Sequence, residues 1–340
     1  MTEISMNIDS IRKYLQGADD AGLYAGADRL RRENFGDEVY LRGIIEFSNH
    51  CKQNCLYCGL RAQNRGILRY RLSFDEIMDC ADEIVRHRIP TIVLQSGEDP
   101  YFNDDFIARI IREIKRRYDV AITLSLGERD FETLEKWRHA GADRYLLRLE
   151  SMDLTVYTNA RPGHDWQERY ACLERIRQLG YETGSGMMIG LPGETLDGLA
   201  GAILRLTELD LHMIGLGPFV AHPQTPFKTE KNGDLDLALR TLALVRILNP
   251  MANMPSTSAL HSIQPGARIR GLQVGANVIM PSFTPKRVRE LYNIYPGKNQ
   301  DNAGAEESLE IILDIIQKAG YRPSFARGNS PKLHRQPATY

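Results

Sequence analysis

The chain has 340 residues, 42% of them hydrophobic, and a formal net charge of -1, so it can bury a large core in one or two domains. The sequence contains no long basic run of the kind that would indicate a nucleic-acid partner. The amino-terminal residues lack the charged start and apolar run of a signal peptide. The longest charge-free stretch, residues 247–267, contains three prolines, which argues against a membrane helix and favours a cytoplasmic protein with no membrane partner.

Hydrophobic periodicity predicts two helices first, over residues 8–15 and 21–32. From residue 40 onward, short runs rich in β-branched residues alternate with amphipathic stretches. The predicted strands are 40–47, 91–95, 121–126, 144–149, 182–189, 213–216, 253–257 and 277–280. The predicted helices between and after them are 73–87, 103–117, 130–140, 165–179, 195–209, 235–247, 266–272 and 285–292, with one more at 305–319.

This alternation predicts an α/β fold, a (β/α)8 TIM barrel, because its units span close to the roughly 250 residues that such a barrel uses. We predict an N-terminal helical cap at residues 1–36, the barrel at 37–298 and a short C-terminal extension at 299–340. The seventh and eighth units have the weakest patterns, so an open barrel of six units is the alternative.

Three cysteines, Cys51, Cys55 and Cys58, follow the first predicted strand in a CxxxCxxC pattern. A structural zinc site closes with four protein ligands, and a simple electron-transfer iron–sulfur cluster normally takes four cysteines. Three thiolates therefore leave one coordination position open for a bound small molecule. Cys80 and Cys172 lie in predicted helices, where a buried apolar role is expected.

Polar residues at the ends of the predicted strands belong at the same edge of the barrel as the cysteines, because active sites of this fold lie where strands end. Each polar set also has a simpler structural explanation. Glu98 and Asp99 precede a predicted helix that they could cap, and Arg148 and Glu150 could form an ordinary ion pair. The basic residues Arg61, Arg65, Arg69 and Arg71 are expected to form a solvated loop face, with charge compensation of a cluster or docking of a partner as alternatives.

The cysteine pattern with Tyr57 before its third cysteine resembles the signature of the radical S-adenosylmethionine (SAM) superfamily, and Ser96-Gly97-Glu98 and the run 186–190 are similar to two further motifs of that superfamily. Within it, eight segments in order resemble the HydE family of [FeFe]-hydrogenase maturases. They are GIIEFSNHCKQNCLYCGLR, VLQSGEDP, TLSLGER, DRYLLRLE, GLPGET, GPFVAHPQTP, GANVIMPSFTP and LYNIYPGK.

The resemblance implies one [4Fe-4S] cluster held by Cys51, Cys55 and Cys58, and SAM bound at the open iron. It further implies that SAM contacts Tyr57, Ser96, Gly97, Glu98, Ser125, Arg148, Glu150, Arg169, Met188 and Ile189. Glu98 would bind the SAM ammonium and Arg169 its carboxylate. The positions that match the family's substrate cavity are Arg42, Thr123, Thr257, Ser258 and Tyr292.

The implied substrate is a small molecule or an iron–cysteine synthon, a cysteine-bound Fe(CO)2(CN) unit made by the maturation lyase HydG and passed on toward the GTPase scaffold HydF. A low-potential electron donor is implied as well. The sequence departs from many family members in two ways. Residues 299–311 have no cysteine, with Gln300, Ser308 and Ile311 at the positions of a second cluster's ligands, and Leu149 stands where some members have histidine.

Two other functions compete with hydrogenase maturation. One is a different radical SAM reaction on the same barrel, such as methylornithine or biotin synthesis. The other is a non-catalytic iron–sulfur carrier whose fourth ligand comes from a partner. Glu98, Arg169 and the glycine-rich strand argue against the carrier, because a carrier does not need a SAM pocket.

Overall fold

The computed structural model describes residues 6–299 and 305–334. The strands are β1 Glu38–Leu41, β2 Gly43–Ser48, β3 Thr91–Ser96, β4 Ala121–Ser125, β5 Arg144–Leu146, β6 Glu182–Ile189, β7 Met213–Pro218, β8 Val278–Ile279 and β9 Arg322–Ser324. The longer helices are α1 Ile8–Leu15, α2 Asp20–Phe35, α3 Phe74–Arg86, α4 Asp104–Arg117, α5 Phe131–His139, α7 Trp166–Gln178, α8 Leu196–Glu208, α9 Leu235–Leu248 and α13 Ala305–Lys318. The shorter ones are α6 Leu154–Ala160, α10 Ser258–Ile263, α11 Ala267–Gln273 and α12 Lys286–Arg289, and a 3-10 turn, Pro331–His334, follows β9.

Strands β2 to β7 form a six-stranded parallel sheet in sequence order, and the remaining segments close it into a barrel. Asn253 bridges Met213 in β7, and Pro255 bridges Val278 in β8. Strand β8 pairs with β1, which continues directly into β2, so the circle is complete. The predicted (β/α)8 barrel is thereby confirmed, and its closure excludes the open six-unit alternative.

The helices cover the barrel because their apolar faces repeat with helical period. In α3, Ile77, Ala81 and Ile84 are buried, and Ser73 and Glu76 form a capping box that fixes where the helix begins. At the amino terminus α1 packs on α8 and α2 packs on α9, so these two helices cover part of the helical layer.

The amino-terminal edge of the barrel is filled by a buried polar layer. Arg144 donates to Glu182 at 3.0 Å and to Thr91 at 3.2 Å. Its remaining donors reach Arg327 O at 2.9 Å and Asn329 Oδ1 at 2.6 Å, so the segment after β9 seals this edge. Strand β9 itself pairs with β1, so residues 322–324 join the small sheet that β1 forms with β8.

Several predicted elements are wrong in detail. Residues 253–257 make isolated bridges instead of a regular strand, because Pro255 has no N–H to donate to a ladder and the helix α10 begins at Ser258. The last predicted barrel helix, 285–292, shortens to α12. Helices α6 and α10 and strand β9 were not predicted from the sequence. Of the positions discussed for a second cluster, Gln300 lies outside the described residues.

Within the described part of the chain, no helix combines the length and apolar character needed to cross a bilayer.

Candidate active site

The cysteine loop follows β2 at the carboxyl-terminal edge of the barrel and lies directly on the end of β3. Lys52 N donates to Glu98 O at 2.9 Å, and Gly97 N donates to Ser48 O at 3.2 Å. A Cβ atom at Gly97 would lie only 2.2 Å from His50 O and 2.8 Å from Cys51 Cβ, so this position requires glycine. The glycine of the Ser96-Gly97-Glu98 motif thus allows the end of β3 to pack against the first cysteine.

The loop is fixed from within by Arg69, whose guanidinium donates to backbone carbonyls. Its Nη1 contacts Asn49 O and Leu60 O, the latter at 2.9 Å, and its Nη2 donates to Arg61 O at 2.9 Å and Asn64 O at 3.1 Å. Arg69 is therefore a structural residue of the loop and not part of a fully solvated face.

Two other segments hold the loop from outside. Leu56 N donates to Ala160 O at the end of α6 at 2.9 Å, and Gly59 N donates to Ile294 O at 3.0 Å. These contacts place the three cysteines between α6 and the segment that follows α12.

All three thiols are largely enclosed: Cys55 is buried, and Cys51 and Cys58 are partly buried. Burial raises the pKa of each, and the neighbouring thiols raise the pKa of Cys58 further. Among the described residues, no three His, Cys, Asp or Glu side chains converge on a single metal ion. A cubane cluster binds each thiolate at a different iron, so convergence on one point is not required of this site.

Glu98 lies beside the loop in a network of charges. Gln53 Nε2 donates to Glu98 Oε2 at 2.6 Å, and Arg169 Nη1 lies 3.8 Å from Glu98 Oε1. Arg169 also donates to Arg148 O at 2.7 Å and pairs with Glu128. The structure thus joins two predicted SAM residues, Glu98 and Arg169, through a charge network that includes the unpredicted Glu128.

Arg148 and Glu150 are both partly buried and form an ion pair of 3.1 Å, as the simpler structural explanation anticipated. Two features nevertheless point to a binding role. Arg148 Nε is buried without a hydrogen-bond partner in residues 6–299 and 305–334. Glu150 has a φ of 67°, a left-handed backbone conformation that residues other than glycine rarely adopt and that often marks a functional site.

The remaining predicted SAM residues lie on neighbouring strands. Ser125 accepts from Gln95 Nε2 at 3.4 Å, and Ser96 Oγ donates to Gly97 O at 2.7 Å. Tyr57 and Met188 pack on one small apolar cluster formed by Val156, Ala160, Leu191 and Phe219. Ile189 is fully buried in β6. These apolar side chains supply a surface that suits the adenine ring of SAM.

The predicted substrate residues divide between the two ends of the barrel. Thr123 Oγ1 is buried without a hydrogen-bond partner among the described residues, Ser258 Oγ lies 2.7 Å from Tyr295 Oη, and Thr257 Oγ1 donates to Leu216 O at 3.3 Å. Tyr292 is buried, which raises its pKa well above the usual value, and the charges of Glu46 and nearby tyrosine and cysteine side chains add to the rise.

Arg42, in contrast, lies at the amino-terminal edge, away from the cysteine loop. Its Nη2 donates to Gly328 O and its Nη1 contacts Met213 Sδ, both at 3.1 Å. Burial lowers its pKa to about 9, and the charge of Arg144 acts in the same direction. Its role in substrate binding stays a prediction, as do the individual roles of the other site residues.

Sequence reasoning missed Arg161, which is almost completely buried at the end of α6. Its Nη1 donates to Tyr57 Oη at 3.4 Å and its Nη2 lies 3.6 Å from Glu128 Oε1. Its Nε and Nη2 have no hydrogen-bond partner within the described ranges. Burial raises the pKa of Cys55, and the charge of Arg161 opposes that rise.

Sequence reasoning also missed a buried ion pair near Tyr292. Lys298 Nζ donates to the buried Glu46 Oε1 at 2.7 Å, and Ser282 Oγ donates to Glu46 Oε2 at 2.8 Å. This ion pair anchors the segment after α12 to β2. The motif LYNIYPGK contained the lysine, but nothing in the sequence showed its partner.

The donor set fits an anionic iron–sulfur cluster with a zwitterionic ligand. Three thiols occur beside two carboxylates, Glu98 and Glu150, which can accept from an ammonium group. Arg148 and Arg161 keep buried guanidinium nitrogens without hydrogen-bond partners among residues 6–299 and 305–334, and these groups can donate to a carboxylate or a sulfur.

Comparisons with known proteins agree with this chemistry. Residues 45–246 match the model of the Radical SAM superfamily. The chain is 48% identical over 305 residues to the [FeFe] hydrogenase maturase subunit HydE of Thermotoga maritima, a match that covers 88% of this chain and 86% of that protein. It is 28% identical to 3-methylornithine synthase of Methanosarcina acetivorans, covering 89% and 85%. The crystal structure of methylornithine synthase (PylB) matches the fold with a TM-score of 0.83 at 23% identity over 94% of both chains.

Proposed function

The chain belongs to the radical SAM superfamily, and from this premise we propose that it reductively cleaves SAM and acts in assembly of the [FeFe]-hydrogenase active-site cluster. Its substrate in this proposal is the cysteine-bound Fe(CO)2(CN) unit. The 48% identity to a HydE maturase supports this function over methylornithine synthesis, for which the identity is 28%. The observation that carries most weight is the three-cysteine loop set against Glu98, Glu150 and under-partnered arginines at one edge of a closed barrel.

In this proposal Cys51, Cys55 and Cys58 hold one [4Fe-4S] cluster, and SAM binds beside it. When bound, the cluster and SAM together supply a 5′-deoxyadenosyl radical. Glu98 accepts hydrogen bonds from the SAM ammonium, and the arginines donate to its carboxylate. Tyr57 and Met188 provide the apolar surface against adenine.

The barrel contributes exclusion of water and of stray hydrogen donors. The amino-terminal edge is sealed by the Arg144 layer and residues 327–330. The segment held by the Lys298–Glu46 pair covers the cysteine loop beside Gly59. Thr123, Thr257, Ser258 and Tyr292 are the residues we assign to the substrate, which must lie near the radical's origin for a directed reaction.

Anaerobic reconstitution tests the cofactor part of this proposal. We expect about four irons per chain and a reduced-cluster EPR signal that changes when SAM is added. An EPR signal that SAM leaves unchanged would exclude both enzyme functions and favour an iron–sulfur carrier.

Adding the iron–cysteine synthon under reducing conditions tests the substrate. We expect 5′-deoxyadenosine or its adducts to form in proportion to the synthon consumed. Cleavage of SAM that leaves the synthon untouched would show a different small carboxylate substrate, as in methylornithine or biotin synthesis. HydG and HydF are the proposed partners before and after this step, and pull-down of the reconstituted protein with each tests them.

A further inference from the structure

Glu98 and Arg169 carry opposite charges and are both buried, yet their ion pair is wider than a hydrogen bond. Arg169 Nη1 lies 3.8 Å from Glu98 Oε1. A charge-assisted hydrogen bond between such groups forms at about 2.7–2.9 Å and is stronger than a neutral one, so two buried partners would normally close the gap. The surrounding structure therefore holds these two side chains apart.

Arg169 is held on its own side of the gap by two acceptors. Its Nε donates to Arg148 O at 2.7 Å, and its Nη1 donates to Glu128 Oε1. The guanidinium is planar and rigid, so hydrogen bonds from two of its nitrogens fix its orientation. Glu128 also supplies a charge partner, so Arg169 does not depend on Glu98 for one.

Glu98 is held on the other side of the gap by Gln53. Gln53 Nε2 donates to Glu98 Oε2 at 2.6 Å. An ionised carboxylate can only accept hydrogen bonds, so the amide nitrogen of Gln53 has to face it. The Glu98 side chain also packs on Gly127, where a Cβ atom would lie 2.1 Å from Glu98 Cγ and 2.5 Å from its Oε1. Glu98 is therefore fixed between Gln53 and Gly127.

The two supports of Glu98 come from different parts of the molecule. Gly127 follows β4, has a φ of 74°, and accepts a hydrogen bond on its carbonyl oxygen from Tyr145 Oη at 2.8 Å. Tyr145 is fully buried in the core, which makes this side rigid. Gln53, in contrast, belongs to the cysteine loop. The position of the Glu98 carboxylate thus depends on a side chain of that loop.

We propose that Gln53 is a positioning residue that keeps Glu98 and Arg169 apart, so that each binds a different end of the amino-acid group of SAM. The inference rests on the proposed function, in which Glu98 accepts from the ammonium and Arg169 donates to the carboxylate. Without the Gln53 N–H, a shift of about 1 Å brings Glu98 Oε1 into a direct hydrogen bond with Arg169. That bond occupies both SAM-binding groups at once, and SAM then has to break it in order to bind.

Gln53→Met tests the proposal because it keeps the length of the side chain and removes its N–H donor. In the reconstituted full-length protein we expect about four irons per chain and the parent's reduced-cluster EPR signal before SAM is added. The dissociation constant for SAM should rise about tenfold, since a hydrogen bond to a charged group contributes on that scale. A titration with SAM followed by EPR measures it. In steady-state assays the KM for SAM should rise while kcat stays near the parent value.

Binding of 5′-methylthioadenosine separates this role from a general loss of fit. This compound keeps the adenosine and the sulfur of SAM but lacks both the ammonium and the carboxylate. Its inhibition constant against SAM should be the same in the parent and in Gln53→Met. A purely structural role of Gln53 would instead weaken the binding of both ligands.

Gln63→Met is the matched control, because Gln63 is an exposed glutamine of the same loop, and it should leave SAM binding unchanged. If Gln53→Met does not assemble its cluster, Gln53→Asn tests the same contact, since its amide is one methylene too short to reach Glu98 and should raise the dissociation constant similarly. An unchanged dissociation constant, or an equal loss of affinity for 5′-methylthioadenosine, would overturn the proposal. A parent protein whose EPR signal does not respond to SAM would instead overturn the proposed function, so the two failures are distinguishable.

Discussion

The two ends of the barrel contain buried arginines that differ in how many of their N–H groups have hydrogen-bond partners. At the amino-terminal edge, Arg144 donates to Glu182, Thr91, Arg327 and Asn329. Arg42 at the same edge keeps only its Nε buried without a partner among the described residues. At the carboxyl-terminal edge, Arg148 and Arg161 keep buried N–H groups without partners among the described residues. Buried polar groups normally have hydrogen-bond partners, so the larger deficit at the carboxyl-terminal edge indicates where a ligand completes the structure.

The same contrast separates stability from function. Substitutions at the sealed edge should destabilise the fold without changing the chemistry of the site. Substitutions at the open edge should change cluster and SAM properties while leaving the apo-protein stable. The predictions that follow test this division.

The largest effect is expected for the cysteine loop. Replacing Cys51, Cys55 or Cys58 by alanine should abolish 5′-deoxyadenosine formation, because each thiolate holds a separate iron and two cannot retain the cubane. Iron content after anaerobic reconstitution and EPR spectra measure the loss. Cys172→Ala is the matched control, since Cys172 is buried against Arg129 O at the start of α5 and should keep a full cluster. A variant of the loop that retained about four irons would contradict the assignment.

The next effect concerns the sealed edge. Arg144→Gln leaves the Glu182 carboxylate buried without its charged partner, and breaking a buried pair from one side typically costs about 3–5 kcal/mol of unfolding free energy. Urea unfolding of the apo-protein, followed by circular dichroism, measures it. The exposed Arg175→Gln should change stability by about 0.5 kcal/mol or less. A loss below about 1 kcal/mol for Arg144→Gln would show that the sealed edge does not depend on this pair.

At the carboxyl-terminal edge, removing the charge of Glu194, which follows β6, should raise the unfolding free energy, whereas Arg144→Gln at the other edge lowers it. Burial, with help from the charge of Asp153, raises the pKa of Glu194 to about 7, although the Gly190 N–H opposes the rise. The folded state therefore binds a proton that the unfolded state releases between about pH 4.5 and 7. The stabilising contribution is complete below that window and is lost as pH rises through it.

Glu194→Gln retains an acceptor for the Gly190 N–H and removes the charge. We expect the variant to be more stable than the parent by about 1–3 kcal/mol at pH 8 and equally stable at pH 4. Urea unfolding of both apo-proteins at the two pH values measures the difference. A constant difference across pH would show that titration of Glu194 is not its cause.

The barrel itself could be predicted because each βα unit has its own local signals. Strand and helix periods, and caps such as Ser73 before α3, lie within a few residues of one another. The segment predicted as the seventh barrel strand, residues 253–257, could not be predicted correctly, because it pairs with β7 and β8 only through isolated bridges and contains Pro255. Helix α6 did carry a local signal, the Asp153 side chain that caps it at Thr155 N, but its seven residues are too short for a clear period.

The candidate site likewise contains residues that could be predicted from the sequence and contacts that could not. Its cysteines and motif residues could be predicted from their resemblance to a known family. The partners of Arg161, Arg144 and Lys298 could not, since Glu128, Arg327 and Glu46 are far from them in sequence and meet them only in the folded barrel. Likewise, nothing in the sequence distinguished Arg69, which is occupied by loop carbonyls, from Arg65, which faces solvent.

The smallest effect is expected at Arg161 and tests the open edge most directly. Its charge lies beside Cys55 and Tyr57, so it should stabilise the more negative, reduced state of the cluster. Arg161→Gln should lower the equilibrium constant for one-electron reduction about tenfold, which corresponds to about 59 mV in midpoint potential for one electron. Arg161→Lys keeps the charge and should stay near the parent value. Redox titration followed by EPR measures the midpoint potential. Urea unfolding of the apo-protein should show no loss of stability in Arg161→Gln, because the guanidinium that is removed has buried N–H groups without hydrogen-bond partners within the described residues. Loss of stability with an unchanged potential would place Arg161 with the sealed edge, as a residue that serves the fold.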